Sequence, residues 1–127
     1  MPEQKPAGPD LFADVNRAKD PANLTDLEKK HVPVITAPDK VAPGECFEVR
    51  IEVGKLMAHP NTSDHFIGFI ELYAGHVFLT RADLVPHLTC PVVKAAVRLD
   101  KAVGPLRAFG WCNIHGTWEA DKRIQVG

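Results

Sequence analysis

The sequence predicts an all-β protein, an antiparallel sandwich of about seven strands. Short segments along most of the chain alternate apolar and polar residues with a period of two, as half-buried strands do. Turn-forming residues separate these segments, and the 11 prolines lie outside their alternating cores. The 127 residues are enough to bury one hydrophobic core but not two. We therefore expect a single sandwich domain.

The N-terminal part differs in texture from the rest of the chain. Residues 1 to about 10 are rich in Pro, Lys and Glu, which is typical of a mobile tail. Further along, Thr25 or Asp26 is expected to cap a short helical turn. We expect residues 1–23 to form an irregular N-terminal extension and residues 24–127 to form the domain.

The strands follow one another along the rest of the chain. Residues 46–53, Cys-Phe-Glu-Val-Arg-Ile-Glu-Val, alternate apolar and charged side chains. A turn at Ala74 and Gly75 joins two further segments into a hairpin. The spacing of the turns is typical of an immunoglobulin-like sandwich. The expected strands are 32–36, 46–53, 66–73, 76–80, 92–99, 106–111 and 118–126.

Composition limits the partners and the compartment. The net charge of -1 gives no general attraction to nucleic acid or to an anionic membrane surface. No apolar run approaches the roughly 20 residues that span a bilayer, and the N-terminus lacks the pattern of a signal peptide. The three cysteines, Cys46, Cys90 and Cys112, are an odd number, which does not indicate a set of disulfide bonds, and none of them forms a Cys-x-x-Cys pair. We therefore expect a cytoplasmic protein whose cysteines are free thiols or metal ligands.

A thiol and an imidazole lie three residues apart near the end of a predicted strand. Cys112 and His115 are flanked by glycines, which allow a tight turn, and by Trp111 and Trp118, which are expected to shield the pair. A loop of two residues lets sulfur and nitrogen converge on one ion. The pair alone is a weak indication of a metal site, because buried thiols near surface imidazoles are common.

The other histidines strengthen that indication. His59 and His65 bracket a polar loop of turn-forming residues, and His31 lies where the N-terminal segment enters the first strand. His76 and His87 are expected to be ordinary surface or core residues. Up to four imidazoles and one thiolate from three loops are more nitrogen-rich than structural zinc sites, and they suit iron or copper better. A thiolate on iron favours redox chemistry at the opposite coordination position.

Three blocks of sequence resemble superoxide reductases of the neelaredoxin and desulfoferrodoxin type. They are residues 28–33, Glu-Lys-Lys-His-Val-Pro; residues 59–65, His-Pro-Asn-Thr-Ser-Asp-His; and residues 112–116, Cys-Asn-Ile-His-Gly. The resemblance implies an immunoglobulin-like sandwich that holds one mononuclear iron per chain. It implies Cys112 as the axial ligand and four equatorial ligands, which are His31, His59, His65 and His115.

The resemblance also implies an activity and partners. Superoxide is reduced by one electron to hydrogen peroxide, and an electron carrier such as rubredoxin returns the iron from Fe(III) to Fe(II). Lys30 matches the lysine that steers superoxide and organises a water for protonation. Peptide groups at Asn113 and Ile114 are expected to tune the iron from behind the cysteine sulfur. A homodimer or homotetramer is expected, and the chain lacks the four extra cysteines of the two-iron members.

One departure from the family pattern concerns the sixth iron position. The pattern is usually Glu-Lys-His, but here Glu28 is one residue further away and Lys29 stands in its place. Glu28 remains a possible sixth ligand if the backbone bulges locally. We favour closure of the ferric site by water or hydroxide, because a shift of one residue turns an extended side chain to the other face.

Two other classes of protein stay open on the residues alone. A blue-copper electron-transfer protein is also a β-sandwich, but it usually needs a weak axial Met or Gln soon after its second histidine. Here Gly-Thr-Trp-Glu follows His115, and the pair His59 and His65 would be unused. A metal-free binding module would make Cys112 a buried thiol and the placement of all five ligands a coincidence.

Overall fold

The computed structural model describes residues 10–127, so residues 1–9 of the mobile tail predicted for residues 1 to about 10 lie outside the described residues. Within the described part, no helix has the length and apolar character needed to cross a membrane. The elements are α1 (Asp26–His31), β1 (Val34–Thr36), β2 (Lys40–Val41), β3 (Cys46–Glu52), β4 (Ile67–Ala74), β5 (Val77–Asp83), β6 (Val92–Arg98), β7 (Leu106–Cys112), β8 (Gly116–Lys122) and β9 (Gln125–Val126).

The strands form two antiparallel sheets and one small parallel pair. The four-stranded sheet has the order β5-β4-β7-β8, and the three-stranded sheet has the order β1-β3-β6. Strands β2 and β9 form the parallel pair. Buried side chains from both larger sheets form one hydrophobic cluster between them. The predicted immunoglobulin-like sandwich is confirmed.

Apart from shifts of one to three residues at strand ends, the structure differs from the expected strands in two places. The segment expected at 118–126 is divided into β8 and β9, because β8 pairs with β7 whereas β9 pairs with β2. Strand β2 was not predicted, since two residues between prolines carry no periodicity. The predicted helical turn is present, and Thr25 rather than Asp26 is its cap.

The core follows the period of two that the sequence shows. Strand β7 alternates buried and half-buried residues from Leu106 to Cys112. Ile51 of β3 and Leu72 of β4 are completely buried against it. Each such large apolar side chain contributes roughly 1.5–3 kcal/mol. Because Cys112 is the last inward-facing residue of β7, the same alternation places its thiol at one end of the core.

Residues 10–19 lie against β8 and are called the N-terminal strap below. The Asn16 N–H donates to Thr117 O at 2.8 Å, and the Glu119 N–H donates to Asn16 O at 2.9 Å. Arg17 adds an ion pair with the buried Glu119 carboxylate at 2.9 Å. The described part of the predicted extension is therefore attached to the sandwich, and the domain boundary at residue 24 stays a prediction.

Candidate metal centre

Helix α1 is short, and a capping box closes its N-terminus. Thr25 Oγ1 accepts a hydrogen bond from the Glu28 N–H at 3.2 Å, and the Glu28 carboxylate accepts one from the Thr25 N–H at 2.9 Å. A six-residue helix is marginal by itself, so the cap helps it to form. The helix ends at His31, whose buried ring donates Nδ1–H to Leu27 O at 2.7 Å. That bond leaves Nε2 of His31 free to bind a metal.

The loop after β3 brings two more histidines to the same place. Gly54 turns the chain with a φ of +84°, and a Cβ there would lie 2.9 Å from the backbone nitrogen of His59. Thr62 and His65 exchange backbone hydrogen bonds of 3.0 and 3.2 Å, which close the polar turn. The His59 ring donates Nδ1–H to Pro60 O at 2.6 Å, so its Nε2 is also free. The His65 Nε2 is buried and has no hydrogen-bond partner within residues 10–127.

The turn between β7 and β8 supplies the thiol and the fourth imidazole. The His115 N–H donates to Cys112 Sγ at 3.4 Å, and His115 Nδ1 lies 3.6 Å from the same sulfur. The Asn113 side chain ties this turn to the histidine loop. It accepts from the Phe66 N–H and donates to Asp64 O, both at 2.9 Å. The two ligand-bearing loops are therefore joined to each other.

The four imidazoles lie at the corners of a square. Neighbouring ring centroids are 4.7 Å apart for His31 and His59, 4.6 Å for His59 and His65, 5.0 Å for His65 and His115, and 4.8 Å for His115 and His31. The diagonal from His31 to His65 is 6.4 Å. Ligand atoms of His31, His59, His65 and Cys112 all lie within 4.8 Å of one another. These four residues could hold one ion, and His115 lies beside them at the fourth corner of the square.

Burial prepares these groups for a metal. Desolvation lowers the pKa of His31 and that of His59 to about 4 each, so both rings are neutral at pH 7 and keep a lone pair. Burial raises the pKa of the Cys112 thiol, while backbone N–H groups of Ile114 and His115 act to lower it. A bound cation would remove the thiol proton outright. The four imidazoles and the Cys112 thiol are suitable metal ligands, and the buried Nε2 of His65, which has no partner among the described residues, fits a bound metal.

Lys30 is close enough to act on the square electrostatically. Its positive charge helps to lower the pKa of His59, His65 and His115, after the larger effect of desolvation on each of them. Lys30 lies in α1 immediately before His31. The Lys30 charge is therefore near enough to affect three of the four imidazoles.

The Glu28 carboxylate is engaged elsewhere. One oxygen accepts the capping hydrogen bond from Thr25, and the other accepts a hydrogen bond from the Lys19 N–H of the N-terminal strap at 2.9 Å. These backbone bonds lower the pKa of Glu28, whose side chain is buried. The structure therefore uses this residue to join the strap to α1.

The two remaining histidines lie apart from the square. His76 is exposed in the turn between β4 and β5, and His87 is exposed in the loop after β5 with a φ of 67°. Sequence reasoning gave Trp118 only a shielding role. Its ring stacks on His31 at a centroid distance of 5.1 Å, and its Nε1–H donates to His115 O at 3.0 Å. No local sequence signal indicates these two contacts.

Known proteins match the chain over most of its length. Residues 23–121 match the desulfoferrodoxin family. The superoxide reductase of Pyrococcus furiosus is 34% identical and covers 76% of this chain and 90% of its own length. Neelaredoxin of Megalodesulfovibrio gigas is 35% identical and covers 77% of this chain and 88% of its own length. A solved superoxide reductase (neelaredoxin) from Ignicoccus hospitalis is 40% identical, with a TM-score of 0.69, over 76% of this chain and 81% of that one. The chain therefore belongs to the desulfoferrodoxin family, as a superoxide reductase of the neelaredoxin type.

Proposed function

We propose that the chain reduces superoxide to hydrogen peroxide at one iron per chain. The observation that supports this most strongly is the square of four imidazoles with a buried thiol against it. The iron would be held by Cys112 and by the imidazoles of His31, His59, His65 and His115. Bound there, it would supply one-electron redox chemistry.

Lys30 is the proposed catalytic residue. The formal net charge of the chain is -1, so a local cation is needed to attract an anion. The Lys30 ammonium acts on three of the four imidazoles and would therefore raise the local concentration of superoxide at the square. It would also hold a water that delivers protons. The balanced change is one superoxide, one electron and two protons to one hydrogen peroxide.

We propose that solvent rather than Glu28 closes the sixth position in the oxidised state. Both carboxylate oxygens already accept backbone hydrogen bonds, and withdrawal of the carboxylate would leave the Thr25 and Lys19 N–H groups without these partners. These bonds are part-buried and are made to a charged group, so their loss is expected to cost about 1–3 kcal/mol in all. A water or hydroxide needs no such rearrangement.

Peptide groups next to Cys112 are proposed to adjust the redox potential. Backbone N–H groups of Ile114 and His115 point at the sulfur, and hydrogen bonds to a ligating sulfur tune its metal. Asn113 supports this turn because its side-chain amide accepts a hydrogen bond from the Phe66 N–H and donates one to Asp64 O. These residues would act through the sulfur and need no contact with superoxide.

The electron has to come from a partner, because superoxide is consumed here as the oxidant. We propose a one-electron carrier such as rubredoxin as that donor, a homodimer or homotetramer as the assembly and the cytoplasm as the compartment. The first two proposals rest on the resemblance of the three sequence blocks to superoxide reductases. The third rests on the free thiols of Cys46, Cys90 and Cys112, which suit a reducing compartment.

Metal analysis with an optical spectrum tests the proposed function. We expect one iron per chain and, after oxidation, a thiolate-to-iron charge-transfer band that disappears when dithionite or ascorbate reduces the iron to Fe(II). Superoxide consumption should then proceed with one hydrogen peroxide formed per superoxide. Copper in the purified protein, or no metal, would contradict the proposal. The structure itself disfavours a blue-copper site, because such a site would leave half of the imidazole square without a role.

A further inference from the structure

Trp118 contacts two of the four histidines of the square. Its indole ring lies over the His31 ring, with centroids 5.1 Å apart and planes 25° apart. Its Nε1–H donates to the His115 carbonyl oxygen at 3.0 Å, and the side chain is only 3% exposed. His31 belongs to α1 and His115 to the turn between β7 and β8. One buried side chain therefore joins two elements that each carry a ligand.

His115 depends on such support more than His31 and His59 do. The rings of His31 and His59 are each oriented by an Nδ1–H bond to a backbone carbonyl. For His115, the ring hydrogen bond found among the described residues is the one to Cys112 Sγ. The position of its ring is therefore set by its backbone, and the Trp118 hydrogen bond restrains that backbone.

The N-terminal strap holds Trp118 in place from the side of β8. The Asn16 peptide bonds to β8 on both sides of Trp118, through its N–H and its carbonyl. At Gly116, a Cβ would collide with the Leu11 carbonyl oxygen, and the φ of +78° also favours glycine. The strap thus lies directly on the backbone that carries the indole.

We propose that Trp118 is a positioning residue that holds His31 and His115 at adjacent corners of the square. Stacking limits the tilt of the first ring, and the indole hydrogen bond fixes the turn that carries the second. The proposal rests on the proposed function in one respect, that a metal occupies the square. It concerns the affinity and the ligand field of that metal, since the contacts of Trp118 are with two of the histidines that would hold it.

Cobalt(II) titration of the metal-free full-length protein tests the proposal through its d–d absorption bands. Trp118→Phe keeps a ring that can stack and loses the N–H, whereas Trp118→Leu loses both contacts. We expect about 10-fold weaker cobalt binding for the first variant and about 100-fold weaker binding for the second, with shifted bands, as for other groups that orient metal ligands. Wild-type affinity and spectrum in both variants would overturn the proposal.

The matched control is Trp111→Phe. Trp111 belongs to the neighbouring strand β7, and its ring stacks on Phe69 at 5.8 Å, on the other face of the sheet. This variant makes the same change in a large half-buried indole and should keep the wild-type cobalt spectrum. A shift as large as that of Trp118→Phe would show that any loss of an indole disturbs the site, and it would overturn the proposal.

A second measurement needs no substitution and so does not depend on how the variants fold. Hydrogen exchange of the indole N–H groups is followed by NMR in the wild-type protein, with and without zinc(II). We expect zinc to slow exchange at Trp118 at least 10-fold and to leave Trp111 unchanged. Equal exchange at Trp118 in both states would overturn the proposal. A wild-type chain that bound neither cobalt nor zinc would overturn the proposed function as well, which separates the two failures.

Discussion

The Nε2 atoms of His31 and His59 lie 3.1 Å apart. Each ring already donates its Nδ1–H to a backbone carbonyl, Leu27 O for the first and Pro60 O for the second. Burial lowers the pKa of each ring to about 4, so both are neutral at pH 7. Two lone pairs at hydrogen-bond distance repel each other unless a cation lies between them. The pair therefore has the geometry of two ligands of one metal.

Removal of the metal should destabilise the fold. A metal that binds only the folded chain adds about 2.7 kcal/mol when its free concentration is 100 times its dissociation constant. Without it, the facing lone pairs of His31 and His59 are uncompensated. We expect a lower midpoint of thermal unfolding after treatment with a chelator and recovery on addition of iron(II) under anaerobic conditions. An unchanged midpoint would argue against a metal that bridges these rings.

In the metal-free protein, stability should fall as the pH is lowered from about 6.5 to about 4. The pKa of His31 and that of His59 are about 4 in the folded state, against roughly 6.5 in an unfolded chain. Between these values the unfolded chain binds more protons, so acid favours unfolding, whereas the contribution is fully present above pH 6.5. Urea unfolding at several pH values measures the slope. His59→Gln should reduce it, and His76→Gln, at an exposed site, should leave it unchanged.

Cys112→Ser should abolish superoxide reduction while the sandwich still folds. The serine oxygen is a poorer electron donor to iron than a thiolate, so the push toward the opposite position is lost. Because Cys112 is completely buried, its replacement by a hydroxyl should also cost about 1–3 kcal/mol of stability. Stopped-flow reduction of superoxide and circular dichroism measure the two effects. Cys90→Ser, at an exposed thiol, is the control, and retained activity in Cys112→Ser would refute the axial assignment.

Lys30→Gln should slow the reaction with superoxide about 10-fold and weaken its dependence on ionic strength. The reason is that a cation beside the square raises the encounter rate with an anion, an effect that salt screens. The second-order rate constant measured at several salt concentrations gives both quantities. Lys101→Gln, in the loop between β6 and β7, makes the same change in net charge away from the square. An equal loss in the two variants would mean that only the net charge matters.

Glu28→Ala should leave the ferric optical spectrum unchanged and lower the stability. The carboxylate bonds the backbone N–H groups of Thr25 and Lys19, and we expect its loss to cost about 1–3 kcal/mol in the free energy of unfolding. A large spectral change would instead place Glu28 on the iron. Glu45→Ala, at an exposed residue between β2 and β3, is the control for stability.

The stability difference between the wild type and Glu28→Ala should depend on pH. These hydrogen bonds lower the pKa of Glu28 in the folded state, so its contribution is fully present above the unfolded value of about 4.3 and is lost as the pH falls through the lowered value. The difference in unfolding free energy between the wild type and Glu28→Ala should therefore shrink in acid. A difference that stayed constant from pH 7 to pH 3 would show that the carboxylate charge plays no part in joining the N-terminal strap to α1.

The sequence by itself determined the class of fold and the types of ligand. Alternation with a period of two is a local property of a strand that is buried on one face, and it placed β3, β4 and β7 within a residue or two. The spacing of Cys112 and His115 is likewise local, because a turn of two residues limits where both side chains point. The three blocks that resemble superoxide reductases then joined these local signals into one iron site.

Only the tertiary structure decided the order of the imidazoles around the square and the partner of Glu28. His31 and His59 are 28 positions apart, and their 3.1 Å contact depends on how α1 and the loop after β3 pack together. The Glu28 carboxylate was free, on sequence alone, to face the iron or the backbone. The fold engages it with Lys19, because a buried carboxylate is most stable where it accepts backbone hydrogen bonds. Contacts between distant segments depend on packing, and no local pattern encodes them.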